Sequence, residues 1–476
     1  MRPDCAALFL ALCTTLAAPG AAQDGLLART VEALLAEPEY AAGHWGIEVR
    51  RLATGEVLFA HNAEKSMQPA STLKLVTSAA ALDVLGPDRR FSTSLESAAH
   101  VDSLGRLLGD LYLVGGGDPM SRRYGNPLAA FEALAGALWD AGIRRVEGRL
   151  IGHEGHFEPE RRPEGWDWDD LVWWYGAEVS ALSFHDNSAD LRAAPGERIG
   201  APLLVDRTPE SAYYEVVSSA ATGPPRSEVE LKLTRELGGN RIQLSGTYPG
   251  RSRPWKGSVA LENPARYAAT VFRETLGRRG IAVTGEVETT GEPLPESRRI
   301  LARFDGPPVS RVIREVNKES VNLHAELLLR ELGVAHSGRG STEGGREALE
   351  AFLDRVGVDR THWVIRDGSG LSEGNLVTPR GLVTVLAAMD RHAKAEIFRQ
   401  SLAVSGVDGT LAYRLRSPGV RGHVRAKTGT LSNVHGLAGF ATRSNGERLA
   451  FAILLNNHAG ERGTRAVDRI ATALTR

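Results

Sequence analysis

Apolar and polar positions alternate along Trp45 to Leu52 and again along Glu56 to Ala60, and Ala53-Thr54-Gly55 supplies a turn between them. The pattern predicts two neighbouring strands. After Pro69-Ala70-Ser71 the period changes. Thr72 to Leu85 runs without a breaker until Gly86-Pro87, which predicts a helix, and its apolar residues surround the axis, which predicts burial on every side. The far end of the chain is complementary. Val424 to Thr430, His435 to Ala441 and Leu449 to Asn456 predict three strands, and Gly463 to Thr475 a closing helix. One sheet built from both ends of the chain is expected, with the middle inserted between them.

That middle is long: about half of the chain lies between Lys74 and Ser320, more than loops can account for. Leu108 to Val114, Val229 to Leu233 and Ile242 to Gly246 read as strands within it. Loops are expected at Gly115-Gly116-Gly117-Asp118-Pro119 and at Thr222-Gly223-Pro224-Pro225. The Pro-rich stretch from Gly291 to Pro308 reads as the route back to the first sheet.

Composition narrows the class. A chain of 476 residues exceeds one ordinary core, and 42% hydrophobic with 24% charged residues is the balance of a soluble globular protein. A net charge of -1 without a long basic run excludes a nucleic-acid surface. Arg2, the apolar run Ala6 to Leu16 and Gly20-Ala21-Ala22 before Gln23 read as an export signal, residues 1–22. Both cysteines, Cys5 and Cys13, fall inside it, so the mature chain needs no disulfide, and Leu12 is too bulky to precede a lipidated Cys13. No later apolar run approaches the ~20 residues that span a bilayer. A periplasmic protein without an integral membrane segment is expected. No cofactor or metal is implied: His153 and His156 lack a partner cluster and read as surface loop residues, and the glycines at 115–117 lack the Lys-Ser/Thr of a phosphate loop.

The chemistry lies in three short motifs, in order: Ser71-Thr72-Leu73-Lys74, Ser320-Val321-Asn322 and Lys427-Thr428-Gly429. Ser71 stands at the first turn of its predicted helix, where unpaired N–H groups and the helix dipole favour negative charge on an attacking oxygen. Lys74, three residues on, shares its face. A lysine in a partly dry cleft near other cations loses basicity and can act as a neutral general base. Ser320 and Asn322, two apart in a turn or extended segment, point to one side; the hydroxyl can pass a proton between lysine and leaving amine while the carboxamide orients both. Lys427 to Thr430 follow a strand-like alternation, and a strand edge can pair with a peptide substrate. Gly429 leaves room for the substrate backbone. Lys427 and Thr428 suit a terminal carboxylate, and the N–H groups of Ser71 and Thr430 suit an oxyanion. Taken singly, these residues read as helix caps and a strand-edge lysine. Together they make an acylating serine site without histidine.

Motifs of this kind mark β-lactamases and penicillin-binding proteins. The chain resembles the D-alanyl-D-alanine carboxypeptidases/endopeptidases of the penicillin-binding protein 4 type, the class C low-molecular-mass penicillin-binding proteins of peptidase family S13. The likeness extends to Pro69-Ala70 before Ser71, Asn317-Lys318 with Ala325-Glu326, Asp367-Gly368-Ser369-Gly370-Leu371-Ser372, Gly406-Val407-Asp408-Gly409-Thr410-Leu411 and Ala426 to Leu431. It implies a multidomain α/β (α+β) fold: a penicillin-recognising domain, an antiparallel sheet flanked by helices, interrupted by two smaller β-rich domains. The division implied is 23–92 with 298–476 for the catalytic domain, 93–180 with 258–297 for a second and 181–257 for a third. The implied activity is serine-type D-Ala-D-Ala carboxypeptidase or DD-endopeptidase action on peptidoglycan stem peptides. Ser71 forms the acyl-enzyme, and β-lactam antibiotics acylate the same residue.

Trp166-Asp167-Trp168-Asp169-Asp170 to Trp173-Trp174-Tyr175 holds four of the eight tryptophans, which read mostly as packing between domains. In the family, an acid and an aromatic five residues apart here hold the amino group of the diaminopimelate side chain. Asp170 and Tyr175 fit that spacing, and Leu431 would cover the pocket. Two positions depart. Val321 replaces the usual Asp, whose side chain carries no proton, so activity is expected to survive. Glu373 stands where relatives often have Arg, and would repel a side-chain carboxylate. Two other readings compete: a serine β-lactamase, for which Glu350-Ala351-Phe352-Leu353-Asp354 is only a near match to the water-activating segment, and a non-catalytic peptidoglycan-binding scaffold, which the intact motifs oppose. The oligomeric state is not encoded legibly.

Overall fold

The computed structural model describes residues 19–121, 125–459 and 462–476. Arg2, Cys5, Cys13 and the apolar run of the expected signal lie outside the described residues; the small residues that end it begin the helix Pro19–Leu35. Among the described residues no helix is long and apolar enough to cross a membrane.

Both ends of the chain meet in one sheet, as expected. Its six strands run in the order Ala403–Val404, Val424–Leu431, Val434–Thr442, Arg448–Asn456, His44–Arg51 and Val57–His61, all neighbours antiparallel. The join between the ends is the pairing of Trp45 with Leu455 and Ile47 with Ile453. Between Arg448 and Asn456 this strand is apolar from Leu449 to Leu455, because it is covered on both faces. Ala450, Ala452 and Leu454 face a core of helices, while Leu449, Phe451, Ile453 and Leu455 face Pro19–Leu35 and Gly463–Ala473. Each of the Leu, Ile and Phe side chains among them contributes roughly 1.5–3 kcal/mol on burial.

The helix after Ser71 is also as buried as its all-round apolar pattern predicts: Lys74 through Leu82 are all inside. Its start differs. Ala70 takes φ +45°, and Ala70–Leu73 form a 3-10 turn from which the α-helix Lys74–Val84 continues. The segment that carries Ser320 is the turn between helices Val309–Lys318 and Asn322–Ser337.

The inserted half carries a five-stranded sheet, ordered Val287–Thr290, Leu150–His153, Leu111–Gly116, Arg90–Ser97 and Arg299–Pro308. This corrects several expectations. The stretch from Gly291 to Pro308 is not merely a route back, because Arg299–Pro308 is an edge strand, with Arg303 opposite Ser94. Its prolines sit at the strand end, where a missing N–H costs least. The expected seams at 92 and 298 therefore fall inside one sheet. The seams at 181 and 257 run through a shared core, in which Leu95, Leu113 and Phe131 pack with Leu191, Tyr214 and Val259. Trp255–Ala260, Ser188–Ala194 and Leu204–Thr208 form a second small sheet, and Glu215–Ser218, Arg241–Ser245 and Lys232–Arg235 a third. Gly115 and Gly116 belong to a strand; a Cβ on Gly115 would lie 2.3 Å from Leu182 Cα. His153 is no surface residue but a buried strand position bonded to the Glu292 carbonyl, and His156 bonds to Glu331.

The insertion is stitched to the catalytic half by buried contacts. Val321, Leu323 and Leu327 pack with Phe157, Val179 and Ala181, and His324 Nε2 lies 3.0 Å from Asp186 Oδ1. Val321 is fully buried there, facing away from the cleft.

Candidate active site

Three separate segments converge on Ser71. Lys74 is completely buried, and its Nζ has three oxygens in reach: Ser71 Oγ at 2.8 Å, Asn322 Oδ1 at 2.6 Å and the Ser369 carbonyl at 2.6 Å. A neutral amine has two N–H donors and one lone pair. If the two shorter contacts take the donors, the lone pair is left for the Ser71 hydroxyl proton. Burial pushes the Lys74 amine down to about 7, against the pull of Asp367 and Glu326. The group is therefore poised between its two forms near neutral pH, as a general base requires.

Asn322 is fixed from both ends of its amide. Its Oδ1 accepts from Lys74, and its Nδ2 donates to the Tyr175 carbonyl at 2.8 Å, tying this amide to the inserted segment. Ser320 has φ +61°, a conformation unfavourable for a residue with a Cβ, and its Oγ accepts from Lys427 Nζ at 2.9 Å. Lys427, fully buried, is held well below the ordinary lysine range by burial and by the neighbouring charges of Lys74 and Arg414.

The cleft above these groups encloses about 350 Å³. Eight of the expected residues line it: Ser71, Ser320, Asn322, Thr430, Leu431, Asp170, Tyr175 and Glu373. Lys74 and Lys427 sit behind the hydroxyls they contact. Thr428 and Gly429 do not line the cleft. Thr428 Oγ1 bonds to Thr410 Oγ1 at 3.0 Å. Gly429 is required by the protein itself, because a Cβ there would lie 2.7 Å from the Pro69 carbonyl oxygen. Its bare backbone lets the strand press onto the turn that carries Ser71, a reason that precedes any approach of substrate.

One end of the cleft is acidic. The Asp170 and Tyr175 side chains share a hydrogen bond, and Asp170 is raised above the usual carboxylate range by burial, with Asp167, Asp169 and Glu373 adding repulsion. Every charged side chain lining the cleft is an acid: Asp167, Asp170, Glu319 and Glu373. The tryptophans nearby divide. Trp166 Nε1 donates to Asp367 at 3.0 Å and packs with Trp174 against the buried seam, whereas Trp168 is 71% exposed.

Sequence reasoning missed the support beneath Lys74. The Ser369 carbonyl is aimed by its own backbone: Glu326 accepts from the N–H groups of Gly368 and Ser369 at 3.1 and 2.8 Å. Asp367 accepts from those of Gly370 and Ser372, both at 2.7 Å. Burial, then the Asp367 charge, raises the Glu326 carboxyl. Asp367-Gly368-Ser369-Gly370 was visible as a motif, but a carbonyl acceptor leaves no mark in side-chain identity.

A lysine-activated serine beside a strand edge, on a helix-covered antiparallel sheet, defines a penicillin-recognising serine hydrolase. Comparison with known proteins makes this specific: the chain belongs to the D-Ala-D-Ala carboxypeptidase 3 (S13) family, whose model matches residues 27–476. It is therefore a serine peptidase. It is 34% identical over 462 residues to the D-alanyl-D-alanine carboxypeptidase of Actinomadura sp. (strain R39), covering 94% of this chain and 84% of that one. The crystal structure of penicillin binding protein 4 from Haemophilus influenzae superposes with a TM-score of 0.81 at 26% identity, covering 93% of this chain and 98% of that one. A second structure of that protein, complexed with a β-lactam, gives 0.75 at 24% identity, with the same coverage of both chains. The expected fold, an antiparallel penicillin-recognising sheet with β-rich insertions, is the one observed.

Proposed function

We propose that this protein works outside the cytoplasm, removing the terminal D-alanine from peptidoglycan stem peptides through an ester on Ser71. The contact that carries the reading is the 2.8 Å approach of the fully buried Lys74 amine to Ser71 Oγ. Neutral Lys74 takes the hydroxyl proton as Oγ bonds to the penultimate D-alanyl carbonyl carbon. The N–H groups of Ser71 and Thr430 receive the oxyanion, each such donor being worth ~3 kcal/mol. Ser320, held by Lys427, passes a proton to the departing amine, the C–N bond breaks, and D-alanine leaves. Water then hydrolyses the ester. β-Lactams enter as cyclic amides and acylate the same oxygen; the complex of the Haemophilus influenzae relative supports this. Against the β-lactamase reading, Glu350 lies outside the cleft and pairs with Arg360 at 3.1 Å, so the segment that nearly matched a water-activating base serves structure.

Asp170 and Tyr175 hold the amino group of the substrate's third residue, with Leu431 as cover. With Glu373 beside them and no cation lining the cleft, that end takes a side chain whose carboxylate is amidated or absent. Release of D-alanine from purified pentapeptides, free or amidated at diaminopimelate, tests both parts. The amidated form is expected to be preferred about tenfold, the scale of one close charge repulsion. A strong preference for the free acid would remove the specificity assignment, and no release from either would remove the function.

A further inference from the structure

The acidic end of the cleft is built on a tight piece of backbone. Asp170 and Tyr175, which line it, are carried by the 3-10 turns Asp170–Val172 and Trp174–Gly176. The N–H groups of Trp173 and Gly176 donate to the Asp170 and Trp173 carbonyls at 3.0 and 2.9 Å. A Cβ on Gly176 would lie 2.3 Å from the Asp170 carbonyl oxygen, so glycine there lets Tyr175 fold back beside Asp170. Hydrogen bonds within 3-10 turns are poor in geometry, so the direction of such side chains depends on what fixes the backbone from outside. Two carbonyls here are fixed in that way. Asn322 donates to that of Tyr175, from the start of the helix Asn322–Ser337. Arg235 donates to that of Leu171 at 2.6 Å, from 64 residues further along the chain.

Arg235 ends the edge strand Lys232–Arg235 of the third small sheet, and among the described residues that sheet contributes none to the lining of the cleft. Lys232 and Thr234 are exposed, whereas Arg235 is buried. Its guanidinium works as a fork. Nη1 donates to Glu262 Oε1 and to the Gly239 carbonyl, both at 2.9 Å, while Nη2 reaches the Leu171 carbonyl. Glu262 also accepts from Arg162 at 2.6 Å. Burial opposes the Glu262 charge, yet its bonds, that from Arg235 foremost, hold it below the ordinary carboxylate range. Taking a guanidinium out of water is costly, and an apolar residue would close this strand end at less cost. What an apolar residue or a lysine lacks is the rigid fork, which meets a carboxylate on one side and a carbonyl on the other at once.

We infer that Arg235 is a positioning residue for substrate selection: by holding the Leu171 carbonyl it keeps Asp170 directed at the amino group of the substrate's third side chain. This rests on the role given above to Asp170 and Tyr175, and it gives the third small sheet a task in the reaction. The Tyr175 end of the turn stays tied to Asn322, so releasing the Leu171 end moves Asp170 and leaves Ser71 and Lys74 in place.

The test measures kcat and KM for D-alanine release from two stem pentapeptides that differ only at the third residue, lysine or norleucine. Norleucine keeps the carbon chain of lysine without its amine. Acylation by benzylpenicillin, which brings no third side chain, reads Ser71 separately. Wild type is expected to favour the lysine peptide about tenfold or more, the scale of a hydrogen bond to a charged group. Arg235→Met is expected to lose that preference through KM, with the norleucine peptide and penicillin acylation staying within about twofold of wild type. Arg235→Lys, which keeps a charge beside Glu262 on a single nitrogen, is expected to lose it too, and carries the test if the Met variant does not fold. A folded variant of either kind that keeps the wild-type preference overturns the positioning role and leaves the proposed function standing. So does equal loss of all three reactions in both variants, which would make Arg235 a support of the whole fold. Wild type that treats the two peptides alike removes the role of Asp170 and Tyr175 and the positioning role with it. Wild type inert on both peptides overturns the proposed function itself.

Discussion

At the scale of single residues, the site depends on keeping one amine dry. Lys74 falls to about 7 chiefly because it is buried, and Asp367 and Glu326 keep it from falling further. The sign follows: the base is protonated and idle below pH 7, and neutral and active above it. Acylation by a reporter β-lactam is therefore expected to rise with pH through a midpoint near 7, and Lys74→Ala to slow it by about 10²–10⁴-fold. Stopped-flow rates from pH 5.5 to 9 check this; a flat profile would sink the assignment of Lys74 as base. The side chains gathered at the cleft were legible in the sequence because type and spacing state the chemistry expected of them: Ser71 with Lys74, Ser320 with Asn322. The Ser369 carbonyl was not, since any residue supplies a carbonyl and only the Glu326 and Asp367 contacts aim it.

At the scale of elements, the close fit between the strand Val424–Leu431 and the turn Ala70–Leu73 sets the geometry of the reaction. Gly429→Ala would place a methyl 2.7 Å from the Pro69 carbonyl oxygen. Neither backbone can yield cheaply, so the strand must move away from Ser71. Misplacement by about 1 Å can cost about 10²-fold, so penicillin acylation is expected to fall by that order. Kinetics of labelling, together with a thermal melt, read this out; an unchanged rate would show that the strand need not touch the turn. The strands at the two ends of the chain were predicted within a few residues, because their alternation and burial are local. The strand Arg299–Pro308 was hidden by its proline-rich surroundings, and its partner Arg90–Ser97 lies about two hundred residues earlier. Pairing over such a distance has no local signature, and that is why the expected seams at 92 and 298 cut through a sheet.

At the scale of the whole molecule, the insertion is part of the candidate site. It supplies Asp170 and Tyr175 to the cleft and, through the Tyr175 carbonyl, a fixed partner for Asn322. Two residues beyond Asn322, the buried His324–Asp186 contact fastens the same helix to the insertion. His324→Ala leaves the buried Asp186 carboxyl without that contact and is expected to destabilise the protein by about 1–3 kcal/mol. Differential scanning calorimetry is expected to show a lower Tm in a single transition; an unchanged Tm would mean that the contact contributes nothing. That two halves must meet was readable from the spacing of the motifs, but which backbone atoms join them was not. The convergence of all three motifs on one hydroxyl is tested most directly by intact-mass spectrometry after exposure to benzylpenicillin, with the modified peptide sequenced. One adduct per chain, on Ser71, lost in Ser71→Ala, is predicted. An adduct at another residue, or labelling that persists in Ser71→Ala, would contradict it.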